Sequence, residues 1–80
     1  MEYNRLVWAA RRGMLELDLI LKPFVEQAYR QLDEEDQHRF QRLLECEDQD
    51  LFSWFLRRAE PEDEDIRAIV KVVLDAHART

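Results

Sequence analysis

Five residues around the single glycine of this 80-residue chain combine charge with backbone freedom. Gly13 follows the basic pair Arg11 and Arg12 and precedes the carboxylates Glu16 and Asp18. Guanidinium and carboxylate groups form charge-assisted hydrogen bonds to a partner, and a glycine allows another backbone to approach closely. Both flanking segments have helical patterns, so we expect a sharp change of direction here that a side chain would obstruct. These five residues form the predicted working surface.

Trp8 precedes the basic pair by about one helical turn and adds an aromatic group to this region. Arg5, Trp8 and Arg12 are three and four residues apart, so a helix places them along one line. An indole flanked by guanidinium groups is typical of interface anchors, because both groups contribute flat contact area at low entropic cost. The alternative is that Trp8 closes the edge of the core while the arginines are solvated.

Helix capping explains the same charges without a partner. Gly13 can be the C-cap of one helix, Arg12 can face the negative end of its dipole, and Glu16 can be an acid in the first turn of the next. Asp18 lies two residues beyond Glu16, about 200° around a helix, so these two carboxylates cannot both face one partner squarely. The residues themselves leave both interpretations open.

Groups that support catalysis are sparse elsewhere in the chain. Ser53 lies between aromatic residues on a predicted helix, and Cys46 lies between two glutamates that should raise the pKa of its thiol. His38 and His77, taken with Cys46, are too irregularly spaced for a zinc site. No glycine-rich loop is present for a nucleotide phosphate, and the acidic run 45–50 lacks the glycine of a calcium loop. We expect a protein that is not an enzyme, has no metal site and binds no cofactor stably.

Apolar residues recur at helical spacing in the first half of the chain. A second helix should resume after Gly13 with an apolar face widened by Leu15, Leu19 and Ile20, and Pro23 should break or kink it near Lys22. The first helix has its apolar positions three and four residues apart, the period of a helix packed on a core: Tyr3, Leu6, Val7 and Ala10.

Helix starts organise the second half. Asp33 and Asp48 are the predicted N-caps of two helices, and Pro61 the predicted first position of the last one. The β-branched run 69–73 has no hairpin turn to pair it, so helix is favoured. With one glycine, two prolines, 46% hydrophobic and 38% charged residues, the composition predicts an all-α compact antiparallel bundle of about five helices in a single domain, residues 1–80.

The charge and the cysteine count restrict the setting. A net charge of −6 opposes nucleic-acid binding, which requires a basic surface. The single cysteine excludes an internal disulfide and favours a reducing compartment. The N-terminal residues lack an apolar signal segment, and no apolar run approaches the ~18 residues of a membrane span. We expect a monomeric cytoplasmic protein that does not insert into membranes.

Two stretches resemble the recurring segments of one family. The first is Arg-Gly-x-x-Glu, formed by Arg12, Gly13 and Glu16. The second is Leu-Leu-Glu before Asp-x-Asp-Leu-x-x-Trp, from Leu43 to Trp54. Both resemble the succinate dehydrogenase assembly factors that promote covalent flavinylation. The order of the stretches, the chain length and a Pro-Phe after the first extend the resemblance over nearly the whole chain.

The resemblance implies a five-helix bundle that binds the apo-flavoprotein subunit of succinate dehydrogenase and, in many bacteria, of fumarate reductase. It implies assistance in attaching FAD to a histidine of that subunit, with FAD as the partner's cofactor and the bond formed by the flavoprotein. The same family is also catalogued as the antitoxin half of a toxin–antitoxin pair, so a module that sequesters a partner is the alternative. A carrier that binds FAD directly is a third interpretation, which the missing phosphate-binding loop disfavours.

The resemblance leads to a hypothesis about individual residues. Gly13 would let the flavoprotein backbone approach, while Arg12 and Glu16 would hold its FAD-site elements through charge-assisted hydrogen bonds. We expect Arg12 and Glu16 to be exposed, so that replacing either with alanine lowers covalent FAD with little effect on stability. The other predicted partner-binding residues are Trp8, Arg11 and Asp18.

Overall fold

Five α-helices follow one another in the computed structural model, which describes residues 2–79. No strand occurs within that range, so the predicted all-α bundle of about five helices is confirmed. A 3-10 turn, Tyr29–Gln31, follows the second helix. The helices are α1 Tyr3–Ala10, α2 Leu15–Gln27, α3 Glu34–Leu44, α4 Asp48–Phe55 and α5 Glu64–Ala78.

One apolar core receives side chains from all five helices. The last helix, α5, packs against α2, α3 and α4, and α1 packs against α2 and α3. Phe40 of α3 lies between two aromatic rings, with centroids 5.1 Å from Phe24 and 5.6 Å from Tyr29. Each fully buried large apolar side chain contributes roughly 1.5–3 kcal/mol to folding. The largest such side chains are Leu6, Leu17, Leu21, Phe40, Leu43, Leu51, Ile69 and Val73.

Pro23 does not interrupt α2, so of the predicted break or kink near Lys22 the break is wrong, and the kink stays a prediction. A proline inside a helix leaves the carbonyl four residues earlier without its donor. That residue is Leu19, which lies on the exposed face of the helix, where water can bind the carbonyl. Leu21 and Phe24 on either side of the proline are buried, and their packing holds the helix together.

The helix starts agree only in part with the prediction. Asp33 is the N-cap of α3, and its side chain accepts a hydrogen bond from the backbone N–H of Asp36 at 2.8 Å, as predicted. Asp48 is the first residue of α4, not its N-cap. Pro61 is buried ahead of α5, and Asp63 caps that helix, so the predicted position of Pro61 is also wrong.

Two arginines of α3 fasten it to the start of α5. Arg42 donates to Asp63 at 2.7 Å and to Asp65 at 3.1 Å. Arg39 donates to Asp65 at 3.0 Å and to Asp36 of its own helix at 2.9 Å. The apolar contact between these helices therefore has a charged edge. Among residues 2–79, no helix is both long enough and apolar enough to cross a bilayer.

Candidate functional site

The loop between α1 and α2, residues 11–14, turns at Gly13. Its φ is +79°, in the left-handed region that glycine occupies without steric cost. The predicted change of direction that a side chain would obstruct is therefore confirmed, although the obstruction lies in the backbone conformation: a Cβ added there would meet no other atom within 4 Å. The C-cap interpretation is wrong, because α1 ends at Ala10 and its C-cap is Arg11. The backbone conformation requires the glycine, and the space above it is open.

Arg12 points into the protein, and only 14% of its side chain is exposed. Its Nε donates to Asp48 Oδ1 at 2.7 Å. Its Nη1 donates to the carbonyls of Ala9 at 2.9 Å and Leu44 at 2.8 Å, and its Nη2 donates to the carbonyl of Cys46 at 2.7 Å. The expectation that Arg12 is an exposed charge is therefore wrong.

Carbonyl groups without hydrogen-bond donors at the ends of helices explain the position of this guanidinium. The last four carbonyls of a helix have no intrahelical donor, and the C-terminal end of the dipole favours a cation. The carbonyls of Ala9 and Leu44 belong to the last turns of α1 and α3, and both helices end at this point. A planar guanidinium with five N–H groups can satisfy acceptors from several directions at once. Arg12 therefore joins the ends of two helices to the start of α4. Its part in partner binding stays a prediction.

The two carboxylates of the first stretch have different roles. Asp18 accepts a hydrogen bond from the backbone N–H of Arg12 at 2.9 Å, so it holds the loop against the first turn of α2. Glu16 is exposed, and its side chain forms no hydrogen bond or ion pair within residues 2–79. The expectation that the two do not face the same way is confirmed. Glu16 is the carboxylate available to a partner.

Large apolar side chains are exposed on both sides of the loop. Trp8 is 70% exposed, with the Arg11 guanidinium 5.3 Å from its ring centroid, so the interpretation that Trp8 closes the core edge is wrong. Leu15 is 68% and Leu19 58% exposed, although both were expected to widen the core face of α2. Exposed apolar groups of this size mark interaction sites when they cluster. We call the exposed set the loop surface: Trp8, Arg11, Gly13, Leu15, Glu16 and Leu19.

The sequence contains a signal for these leucines that helical spacing reveals. Leu15 and Leu19 are each two residues from buried Leu17, and Leu19 is two residues from buried Leu21. Two residues correspond to about 200° around a helix, so one pair must face away when the other is buried. The outward direction of Leu15 and Leu19 was therefore readable before the structure.

Chemically reactive groups are few around this surface. Burial raises the pKa of the Cys46 thiol, and the Asp50 carboxylate acts in the same direction, so the predicted rise is confirmed with a different main cause. No group of three potential metal ligands occurs among residues 2–79. Acids occupy the first turns of α2, α3, α4 and α5, and they disfavour a phosphate at those helix starts.

Comparison with known proteins identifies the family. A family model described as the flavinator of succinate dehydrogenase matches residues 4–77, which include both stretches and the whole loop surface. The chain belongs to this flavinator family. The resemblance to succinate dehydrogenase assembly factors is thereby confirmed.

Relatives of this flavinator-family chain share most of its length. A protein of Pseudomonas aeruginosa named FAD assembly factor SdhE is 61% identical over 74 residues, which are 92% of this chain and 88% of the relative. Proteins of the same name from Pseudomonas savastanoi pv. phaseolicola and Idiomarina loihiensis are 53% and 50% identical. The matched parts are 92% and 89% of this chain, and 88% and 79% of those relatives.

The two stretches of the flavinator family meet in space. Arg12 belongs to the first stretch, and three of its four side-chain hydrogen bonds go to Leu44, Cys46 and Asp48 in the second. The second stretch therefore lies beneath the loop that carries Gly13 and leads into Glu16.

Proposed function

We propose that this protein is an assembly factor that binds the apo-flavoprotein subunit of succinate dehydrogenase and promotes covalent attachment of FAD to it. Family membership and the names of the relatives support this proposal. The observation that carries it is the loop surface, where an indole, an open glycine and a carboxylate without a partner in residues 2–79 flank one anchored turn. Such a surface suits docking to a protein.

Each member of the loop surface has a role in the proposed complex. Gly13 lets the flavoprotein backbone approach, because the space where a Cβ would stand is open. Glu16 accepts charge-assisted hydrogen bonds from the partner. Trp8 and Arg11 pack their flat side chains against the flavoprotein. A tryptophan that is shielded from water in a complex often contributes a large part of the binding free energy.

Arg12 and Asp18 support this surface from behind. Both are engaged within the protein, Arg12 through its side chain and Asp18 through the backbone N–H of Arg12. We therefore assign Arg12 an indirect part in partner binding, in place of the direct charge contact expected from the sequence. Rigid support matters because a bound geometry lowers a reaction barrier only when the reacting groups are held close and aligned.

The proposed contribution to flavinylation is orientation of the partner. FAD is the cofactor of the flavoprotein, and the covalent bond is formed there, with this protein ordering the segments around the FAD site. This division requires neither an activated nucleophile nor a stably bound flavin on this chain. We extend the proposal to the flavoprotein subunit of fumarate reductase as a second partner, and to a monomer acting in the cytoplasm.

Flavin fluorescence in denaturing gels tests the proposal. Cells lacking this protein receive either the wild-type chain or Gly13→Arg, which adds a long cation to the loop surface. The wild type should restore a covalently fluorescent flavoprotein band, and Gly13→Arg should restore much less at equal abundance. A pull-down of the succinate dehydrogenase flavoprotein in both strains completes the test. Recovery of that flavoprotein with unchanged flavin content would favour the sequestering, antitoxin-type alternative.

A further inference from the structure

The second stretch of the sequence contributes little to the loop surface, yet it supplies most of the contacts that hold it. We propose that Asp48, with the turn 45–47 before α4, is a positioning residue for the loop surface and acts through Arg12. The inference rests on the proposed function in that the loop surface is taken as the flavoprotein site.

Three of the four hydrogen-bond acceptors of the Arg12 side chain come from one short segment, residues 44–48. Leu44 is the last residue of α3, Cys46 lies in the turn, and Asp48 is the first residue of α4. Their oxygens receive three different N–H groups of one planar guanidinium, at 2.7–2.8 Å. A planar fork with three fixed acceptors has little freedom to rotate, so the segment 44–48 sets where the Arg12 backbone lies.

The loop needs such an external restraint. Gly13 has more backbone freedom than any other residue type, and no neighbouring atom within 4 Å of its Cβ position limits it. Within residues 11–14, the backbone N–H of Arg11 bonds to Trp8 and that of Arg12 to Asp18. At the other end of the loop, Met14 packs against the core and its carbonyl accepts from the backbone N–H of Asp18. The guanidinium contacts are the ties that join the loop to the end of α3, the turn 45–47 and the start of α4.

Asp48 is the one charged acceptor among the four. The other three are carbonyls of Ala9, Leu44 and Cys46, which cannot neutralise the cation. Its Oδ1 lies 2.7 Å from Arg12 Nε, and its side chain is partly exposed at the rim of the contact. Removing this carboxylate leaves a largely buried guanidinium without a counter-charge, a strongly unfavourable state that the loop relieves by moving.

The single glycine provides a probe of the loop. Labelling with ¹⁵N-glycine gives one backbone resonance, that of Gly13, because the chain contains no other glycine. Asp48→Ala should shift or broaden this resonance in the folded protein. Asp50→Ala is the matched control, because it removes an exposed acid from the same helical turn and should leave the resonance in place. Asp48→Asn, which keeps an oxygen acceptor for Nε but removes the charge, should return the resonance only part of the way towards its wild-type position.

Binding to the purified apo-flavoprotein is the second readout. We expect Asp48→Ala to weaken binding by about tenfold, Asp50→Ala to leave it unchanged, and Asp48→Asn to recover part of it. If Asp48→Ala fails to fold, Asp48→Ser replaces it, since serine is too short to reach Nε.

The two readouts separate the two ideas. A Gly13 resonance that is the same in Asp48→Ala and wild type overturns the positioning role, whatever the affinity. A changed resonance with wild-type affinity supports the positioning role and contradicts the assignment of the loop surface as the flavoprotein site.

Discussion

Arg12 Nε lies 2.7 Å from Asp48 Oδ1, although the two residues are 36 positions apart in the chain. This pair anchors the loop between α1 and α2 to the start of α4. Within the Arg-Gly-x-x-Glu stretch, Arg12 points into the protein, whereas Gly13 and Glu16 are exposed. The stretch therefore combines a structural anchor with exposed residues that we propose as a docking surface.

Replacing Arg12 with alanine should destabilise the protein strongly. The change removes four hydrogen bonds and leaves carbonyls and a carboxylate without their donor, so the free energy of unfolding should fall by about 2–4 kcal/mol. Arg11→Ala, at the neighbouring exposed position, should change it by less than about 1 kcal/mol. Urea denaturation of both variants measures the difference. Equal losses would show that Arg12 is not an anchor.

Two substitutions at Gly13 separate backbone strain from access. Gly13→Ala should lower the free energy of unfolding by about 1–2 kcal/mol, because alanine disfavours a φ of +79°. Gly13→Asn should cost less, because asparagine tolerates the left-handed region. Both variants should promote flavinylation less than the wild type, since both place a side chain where the partner approaches. If Gly13→Asn matches the wild type in flavinylation, close approach at Gly13 is not required.

Trp8 should matter for binding and not for folding. Because the indole is 70% exposed, Trp8→Ala should change the free energy of unfolding by less than about 1 kcal/mol. The free energy with which the Trp8→Ala variant binds the apo-flavoprotein should be less favourable by about 2 kcal/mol, as for an aromatic residue at an interface centre. Leu56→Ala is the control, because Leu56 is exposed at the end of α4, outside the loop surface. Isothermal titration calorimetry that finds equal affinities for the two variants would argue against the loop surface.

Ion pairs join Arg39 and Arg42 of α3 to Asp63 and Asp65 at the start of α5. We call these ion pairs the clasp, and they predict that the free energy of unfolding falls in acid. The hydrogen bond from Arg42, followed by that from the backbone N–H of Ile66, lowers the pKa of Asp63 below its ordinary value of 3.8. A lowered folded-state pKa gives stability that is fully present above the unfolded value and is lost as the pH falls through the folded one. Asp63→Asn, which still caps α5, should therefore lose less stability on acidification than the wild type.

Urea denaturation at intervals between about pH 2 and pH 6 measures this difference. Glu62→Gln, an exposed neighbour that forms no ion pair within residues 2–79, is the matched control and should follow the wild-type curve. Parallel curves for the wild type and Asp63→Asn would contradict the role of the clasp.

The fold was predictable because its determinants are local. The helical period of apolar residues and the acid at Asp33 mark elements without reference to the rest of the chain. Pro23 was misjudged because a local rule was applied where burial of Leu21 and Phe24 outweighs one lost hydrogen bond. Asp48 was predicted as the N-cap of α4 and is its first residue, because its side chain accepts a hydrogen bond from Arg12 and does not cap the helix.

Four members of the loop surface were among the predicted site residues, Trp8, Arg11, Gly13 and Glu16, whereas Leu15 and Leu19 were assigned to the apolar face of α2. The predicted site residues were found through the resemblance and the unusual setting of Gly13. The inward turn of Arg12 was missed because three of its acceptors are main-chain carbonyls, which carry no sequence signature, and two of them lie more than 30 positions away. The outward direction of Leu15 and Leu19 was available from helical spacing alone.

Reconstituted flavinylation with Glu16→Gln tests the central claim most directly. Purified apo-flavoprotein of succinate dehydrogenase, FAD and this protein are mixed, and covalent flavin is followed by fluorescence in denaturing gels. Glu26→Gln, an exposed substitution on the same helix, is the control. We predict that Glu16→Gln slows covalent attachment by about tenfold or more at an unchanged melting temperature, while Glu26→Gln matches the wild type. Covalent attachment at the wild-type rate with Glu16→Gln would contradict the docking role of this surface.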